Sequence, residues 1–291
     1  MSADLGETLG SRGWREVSWV AFDTETSGRY PIESEICEIA AVKWTAGGER
    51  ATFQSLIKPS KPMSDEVIAI HHITNEMVAG APAVCDVLPK FVEFISGSVL
   101  LAHHAQFDLG FVAAALEDCG LQLPSEITIC TSLLAQATVR ETPNHRLQTL
   151  VPFFEIDPGQ AHRALDDARS CLGVALKIFE RLQGEASKPL TVDEIAAKML
   201  RRSSVDLGPM KFARFSMDEL RRNPSLVRFI EAAKAQNPVS LVYNAGSRPG
   251  KPRTILPIGI IRQLEGDALV AIEEGEKVAK RYWIKDVQSI S

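Results

Sequence analysis

The chain has 291 residues, 45% of them hydrophobic and 24% charged, with a net charge of −5. That length accommodates one large domain and one smaller one, each with its own core. It contains no run of about 18 apolar residues and no basic N-terminal region followed by an apolar stretch, so a cytoplasmic protein with no membrane partner is expected.

The charge is uneven. Residues 1–185 hold 14 Lys and Arg against 25 Asp and Glu, a net −11, whereas residues 186–291 hold 18 against 12, a net +6. An acidic cluster attracts metal ions and repels phosphate, so a basic rear segment is what a nucleic-acid enzyme could use to hold its substrate. The five cysteines, Cys37, Cys85, Cys119, Cys130 and Cys171, are odd in number, lie in apolar stretches and lack zinc spacing, which predicts reduced, buried thiols.

In chain order, residues 1–15 are aperiodic and read as a flexible leader. Residues 17–22, 36–44 and 51–57 read as strands of a meander, with Gly47-Gly48 as a turn signal. Helical patterns cover 65–71, 87–95, 110–118 and 147–153, and a short apolar strand is expected at 99–102. An amphipathic helix over 164–182 closes this first unit, and strands alternating with helices predict an α/β architecture. Residues 185–236 read as a basic helical connector carrying Arg201-Arg202 and Arg221-Arg222 around Gly208-Pro209. From 237 on, short strands at 239–243, 254–262, 268–273 and 278–285 are punctuated by glycine turns, the pattern of a small antiparallel β-barrel.

Three acidic motifs stand out: Phe22-Asp23-Thr24-Glu25-Thr26, then His103-His104-Ala105-Gln106-Phe107-Asp108, then His162-Arg163-Ala164-Leu165-Asp166-Asp167. On an extended strand Asp23 and Glu25 share one face, roughly 6–7 Å apart, while Thr24 takes the other. That spacing lets one carboxylate bridge two ions and the other cap one of them. Asp108 reads either as a ligand at the end of a strand or as a helix N-cap. In the third motif helical geometry decides: Asp166 aligns with Ser170, Gly173 and Lys177, whereas Asp167 aligns with Ala164, Ala168, Cys171 and Ile178 and so turns inward. An inward carboxylate needs a partner such as a metal. His162, just before that helix, is placed to take a proton from an attacking water.

These motifs, with the stretches 36–42, 57–59, 70–78 and 162–165, resemble the DEDDh 3′→5′ exonuclease family of the DNA polymerase III epsilon type over residues 16–184. The resemblance implies a ribonuclease H-like mixed sheet and two divalent ions, Mg²⁺ or Mn²⁺, held by Asp23, Glu25, Asp108 and Asp167, with His162 as general base. Thr24, Thr26, Ile70, His71, His103 and Phe107 fall at positions of the substrate site. The implied partners are 3′ ends of single-stranded DNA or RNA and a polymerase or other repair protein acting in trans; a homo-oligomer stays open. Two departures bear on how the terminal nucleotide is held: His104 stands where the family usually has Asn, and His72 where it usually has Gly.

Residues 237–291 resemble WYL domains, SH3-like barrels, although Ala268-Leu269-Val270 takes the place of the defining tripeptide. Arg253, Arg281 and Trp283 are the expected nucleic-acid contacts there. The implied activity is release of nucleoside monophosphates from 3′ ends, with RNA trimming, or a regulatory protein whose barrel senses a ligand, as the alternatives.

Overall fold

The computed structural model describes residues 8–159, 162–200, 210–263 and 266–291. Three strands open the first sheet: β1 (Trp19–Thr26), β2 (Ile36–Thr45) and β3 (Gly48–Leu56). Helices α1 (Asp65–His71), α2 (Asn75–Val78) and α3 (Val84–Ile95) lead to β4 (Val99–Ala102). Then come α4 (Gln106–Asp118), β5 (Thr128–Cys130), α5 (Thr131–Thr138), α6 (Leu147–Phe153) and the long α7 (Ala164–Gly184). The strand order is β3-β2-β1-β4-β5, with β2 antiparallel to both its neighbours and β4 parallel to β1 and β5. This is the ribonuclease H-like mixed sheet flanked by helices. The sequence reading missed β5 and α5: three fully buried residues are too few to show an alternation.

β1 is central because both its faces are covered. Trp19 meets Phe179 of α7 with ring centroids 4.8 Å apart, and Phe22 meets Phe91 of α3 at 5.6 Å. Side chains alternate along a strand, so odd-numbered positions face α7 and even-numbered ones face α3 and α4. Where β1 runs out of apolar residues, that parity sends Asp23 and Glu25 toward α7 and Thr24 toward α4.

The expected leader is packed from Leu9 onward, a correction to the reading of 1–15. Trp14 is buried, stacked on Trp44 and edge-on to Phe179, and its backbone N–H donates to the Leu190 carbonyl at 3.0 Å. One large aromatic orders a segment that has no periodicity to announce it. The connector also divides between two cores. Val192, Ile195 and Met199 of α8 (Val192–Leu200), and Phe212 and Phe215 of a 3-10 turn, enter the first core. Leu220 of α9 (Asp218–Arg221) and Leu226 and Phe229 of α10 (Pro224–Ala235) enter the second. Arg221 pairs with Glu117 and Asp118 at the end of α4. Arg201, Arg202, Gly208 and Pro209 lie outside the described residues.

The second sheet comprises β6 (Val239–Tyr243), β7 (Pro252–Gln263), β8 (Gly266–Glu273), β9 (Ala279–Trp283) and β10 (Val287–Ile290). Its order is β10-β6-β7-β8-β9, antiparallel throughout. Ala114 of α4 is part of its core, and Ile32 packs against it. β7 shifts register between Pro257 and Gly259, and a Cβ on Gly259 would lie 2.6 Å from the Cβ of Tyr30. The glycine is what allows the two units to approach there.

The cysteine expectation is corrected as well. Cys85 in the first turn of α3 and Cys119 after α4 form a disulfide, while Cys37, Cys130 and Cys171 are free and buried. The pairing is set by where two helix ends meet, 34 residues apart in sequence, which spacing alone does not reveal. Among the described residues no helix is long and apolar enough to cross a membrane.

Candidate active site

The acidic side chains converge at the carboxyl end of β1. Glu25, Asp167 and His162 each offer a ligand atom within 4.8 Å of the others. Asp167 sits in the first turn of α7, and its Oδ2 accepts the His162 backbone N–H at 3.0 Å. His162 has a left-handed backbone, φ 60°, which turns the chain sharply onto the helix. Asp166 is directed instead at Arg169, 3.7 Å away.

Asp108 does not cap α4, whose N-cap is Ala105. It lies buried in the first turn, and its Oδ1 accepts both the Thr24 backbone N–H at 3.0 Å and the Thr24 hydroxyl at 2.8 Å. The even-parity residue of β1 thereby anchors the acid that α4 delivers, while its odd-parity neighbours meet α7.

Burial and mutual repulsion act together on these groups. Burial raises Asp23 well above the usual carboxylate range, and the charges of Asp108, Glu25 and Asp167 add to it. Glu25 is pushed up to about 8, chiefly by burial and then by Asp167 and Glu38. Asp108 is pushed up to about 7 by burial, against the two hydrogen bonds from Thr24. Asp167 is raised by burial. Carboxylates crowded into a half-dry site at this cost are matched by hard divalent cations, whose ligands are oxygens.

Glu38 was not singled out by the sequence. Its side chain is fully buried on β2, opposite Glu25 in register. Oε1 accepts Arg163 Nη2 at 2.8 Å and Gln54 Nε2 at 2.9 Å, and Oε2 accepts the Ala164 backbone N–H at 3.1 Å and Arg163 Nε at 3.3 Å. These bonds hold Glu38 below the usual carboxylate range despite its burial. They also bolt the start of α7, and with it His162 and Asp167, to the sheet that carries Asp23 and Glu25.

The remaining expected residues divide. Ile70 is 52% exposed and Phe107 40% exposed. His71 is buried; its Nδ1 accepts the Ile73 N–H at 3.0 Å and its Nε2 lies 3.7 Å from Cys37 Sγ. Thr26 is buried, with its hydroxyl on the Gly28 carbonyl at 2.6 Å. His103 Nε2 donates to the His145 carbonyl at 3.0 Å and Nδ1 accepts from the Thr131 hydroxyl at 2.9 Å, while burial pushes its pKa down to about 4. Both its ring nitrogens are therefore used internally. His72 and His104 occupy left-handed conformations, φ 60° and 63°, and His72 is the C-cap of α1. Glycine and asparagine are the residues that tolerate this region best, so both departures from the expected text fall at backbone positions rather than at acidic ones.

Arg253 is a correction. It is 9% exposed, lies 5.9 and 5.8 Å from the Tyr243 and Tyr282 ring centroids, and donates to the Arg248 carbonyl at 2.7 Å. Strand parity turns it inward with Ile255 and Pro257. Arg281 is exposed and Trp283 half-buried.

A family model described as Exonuclease matches residues 20–175. The chain belongs to this exonuclease family. All five motif residues fall inside the matched stretch. The DNA polymerase III epsilon subunit of Treponema pallidum is 40% identical over 158 residues, 54% of this chain and 74% of that protein. A PolC-type DNA polymerase III of Caldanaerobacter subterraneus is 35% identical over 187 residues, and a putative bifunctional exonuclease/endonuclease of Mycobacterium tuberculosis 36% identical over 176. These matches cover 64% and 58% of this chain but only 13% and 27% of those longer proteins. Among solved structures, exonuclease X bound to a 5′-overhanging DNA duplex is 28% identical with a TM-score of 0.49, covering 62% of this chain and 99% of that one.

Proposed function

We propose that this exonuclease domain removes nucleoside 5′-monophosphates from the 3′ ends of single-stranded nucleic acid, DNA in the first instance. The observation that carries the reading is the meeting of Asp23, Glu25, Asp108 and Asp167 at one end of β1, with His162 beside Glu25 and Asp167. The donor set is all carboxylate with one imidazole, which fits two Mg²⁺ or Mn²⁺ ions. Held by those four carboxylates, the ions would supply charge neutralisation and Lewis-acid stabilisation of the transferring phosphoryl group.

The chain's own residues do the rest. His162 accepts a proton from the attacking water. The water oxygen bonds to the terminal phosphorus as the bond from phosphorus to the 3′ oxygen of the preceding nucleotide breaks, leaving a monophosphate and a shortened strand. Asp167 fixes the backbone of His162, Thr24 fixes Asp108, and Glu38 with Arg163 holds the two halves together. Ile70 and Phe107, with the backbone at Thr24 and Thr26, flank the terminal nucleotide. His71 and His103 support this wall from within.

We read the second sheet as a WYL-like barrel, residues 237–291, and the relatives named as polymerase subunits make a polymerase the natural partner in trans. The test is a 5′-labelled oligonucleotide panel, DNA and RNA, single- and double-stranded, with Mn²⁺ or with chelator. Metal-dependent ladders shortened from the 3′ end, with single-stranded DNA cleaved fastest, are expected. Internal cuts, or cleavage in chelator, would overturn the reading.

A further inference from the structure

A cavity of about 320 Å³ lies where the exonuclease unit meets the second sheet. Its near wall carries Phe107, the residue before Asp108, and Arg29 and Tyr30, from the loop that follows the strand bearing Asp23 and Glu25. Its far wall is built from β7 and β9, with Ile261, Gln263 and Arg281. Phe107 is an exposed aromatic with its ring 4.8 Å from that of Phe111. The cleft is thus walled on one side by chain segments that also carry the acidic cluster, and on the other by a separate structural unit.

Charge separates this wall from the rest of the interface. Arg214 and Arg221 are consumed in ion pairs to Asp267, Glu117 and Asp118 that join the units, and Arg262 pairs with Asp267. Arg29 and Arg281 are exposed and make no ion pair among the described residues. Two free guanidinium groups beside the exposed ring of Phe107 pair phosphate contacts with a face on which a base can stack, over a buried apolar floor of Phe215, Met217 and Ile260. A domain of net charge −11 repels a polyanion, so cations at the mouth are what retain it.

We infer that this cleft, with Arg29, Phe107 and Arg281 as its contacts, binds the nucleotides on the 5′ side of the scissile end of a single strand. The second sheet thereby makes turnover depend on strand length. The inference rests on the exonuclease reading for its orientation, and the experiment separates the two.

The full chain is assayed on a thymidine dinucleotide and on dT16, and binding of labelled dT16 is followed by anisotropy with Ca²⁺ in place of Mg²⁺. The ratio of kcat/KM on dT16 to that on the dinucleotide is expected to fall at least tenfold in R281E and in R29E. The slope of log Kd against log salt should drop by about 0.7 for each lost phosphate contact. Charge reversal at Lys277, in the β8–β9 turn outside the cleft, should leave both readouts at the parent's values. A parent that cleaves dT16 with an unchanged length ratio in both arginine variants overturns the cleft and leaves the exonuclease reading. A parent that binds dT16 through Arg281 yet cleaves nothing overturns the exonuclease reading and leaves the cleft.

Discussion

Glu38 on β2 receives the guanidinium of Arg163 at 2.8 Å, from the residue that follows the candidate base His162. The carboxylate is fully buried and the guanidinium about three-quarters so. Removing one partner of such a pair strands the other, a loss of about 3 kcal/mol. E38Q is therefore expected to lower stability by that order in urea unfolding. Because the pair positions α7, it should also raise the Mn²⁺ concentration needed for half-maximal activity, and R163K, which keeps a cation opposite Glu38, should raise it less than R163A. A change in stability with unaltered metal demand would make the pair purely structural.

The acidic cluster gives a pH dependence with a definite sign. Its carboxylates have raised pKa values, so the folded metal-free protein holds protons that the unfolded chain has released. The stability this contributes is complete below the ordinary carboxylate range and is lost as pH rises through about 7 and 8, where Asp108 and Glu25 ionise. The melting temperature in chelator should fall from pH 5 to pH 8.5, and the increase given by Mn²⁺ should grow over the same range. D23N should melt higher than the parent in chelator at pH 8.5. Equal Mn²⁺ shifts at both pH values would contradict this.

At His72 a left-handed C-cap carries a β-carbon. H72G relieves that strain and is expected to stabilise the fold by about 0.5–1 kcal/mol in the same unfolding assay, with little effect on turnover. A destabilised H72G would mean that the imidazole makes a contact worth more than the strain.

The Tyr30–Gly259 approach predicts the opposite response. A Cβ at 259 meets the Tyr30 Cβ at 2.6 Å and its Cγ at 2.8 Å. G259A should cost about 1–3 kcal/mol of stability, and Y30G, which removes the opposing Cβ, should recover part of that loss in a double-mutant cycle. Additive effects would place the two residues out of contact.

What the sequence made legible follows from period. The strand carrying Asp23 and Glu25 has a clear apolar run, and helix α7 has a full apolar face, so the faces of Asp23, Glu25 and Asp167 could be read directly. The parity that put Thr24 on the other face also placed it against Asp108, a bond the sequence does not show. Glu38 was hidden for a different reason: a buried carboxylate on a strand is paired by a residue 125 positions away. Arg253 misled because a basic residue beside turn signals looks exposed, whereas tyrosine rings on two other strands take it in. The Cys85–Cys119 link and the packing of Trp14 likewise depend on which distant surfaces meet.

The central claim is that Asp167, and not its neighbour Asp166, completes the acidic site. The most direct test compares turnover of D167N and D166N on a 5′-labelled single strand with Mn²⁺, each variant checked for native melting. The account predicts that D167N loses activity by about a thousandfold or more, as removal of a group acting on the transition state does, while D166N stays within a few-fold of the parent. An active D167N beside an inactive D166N would contradict it.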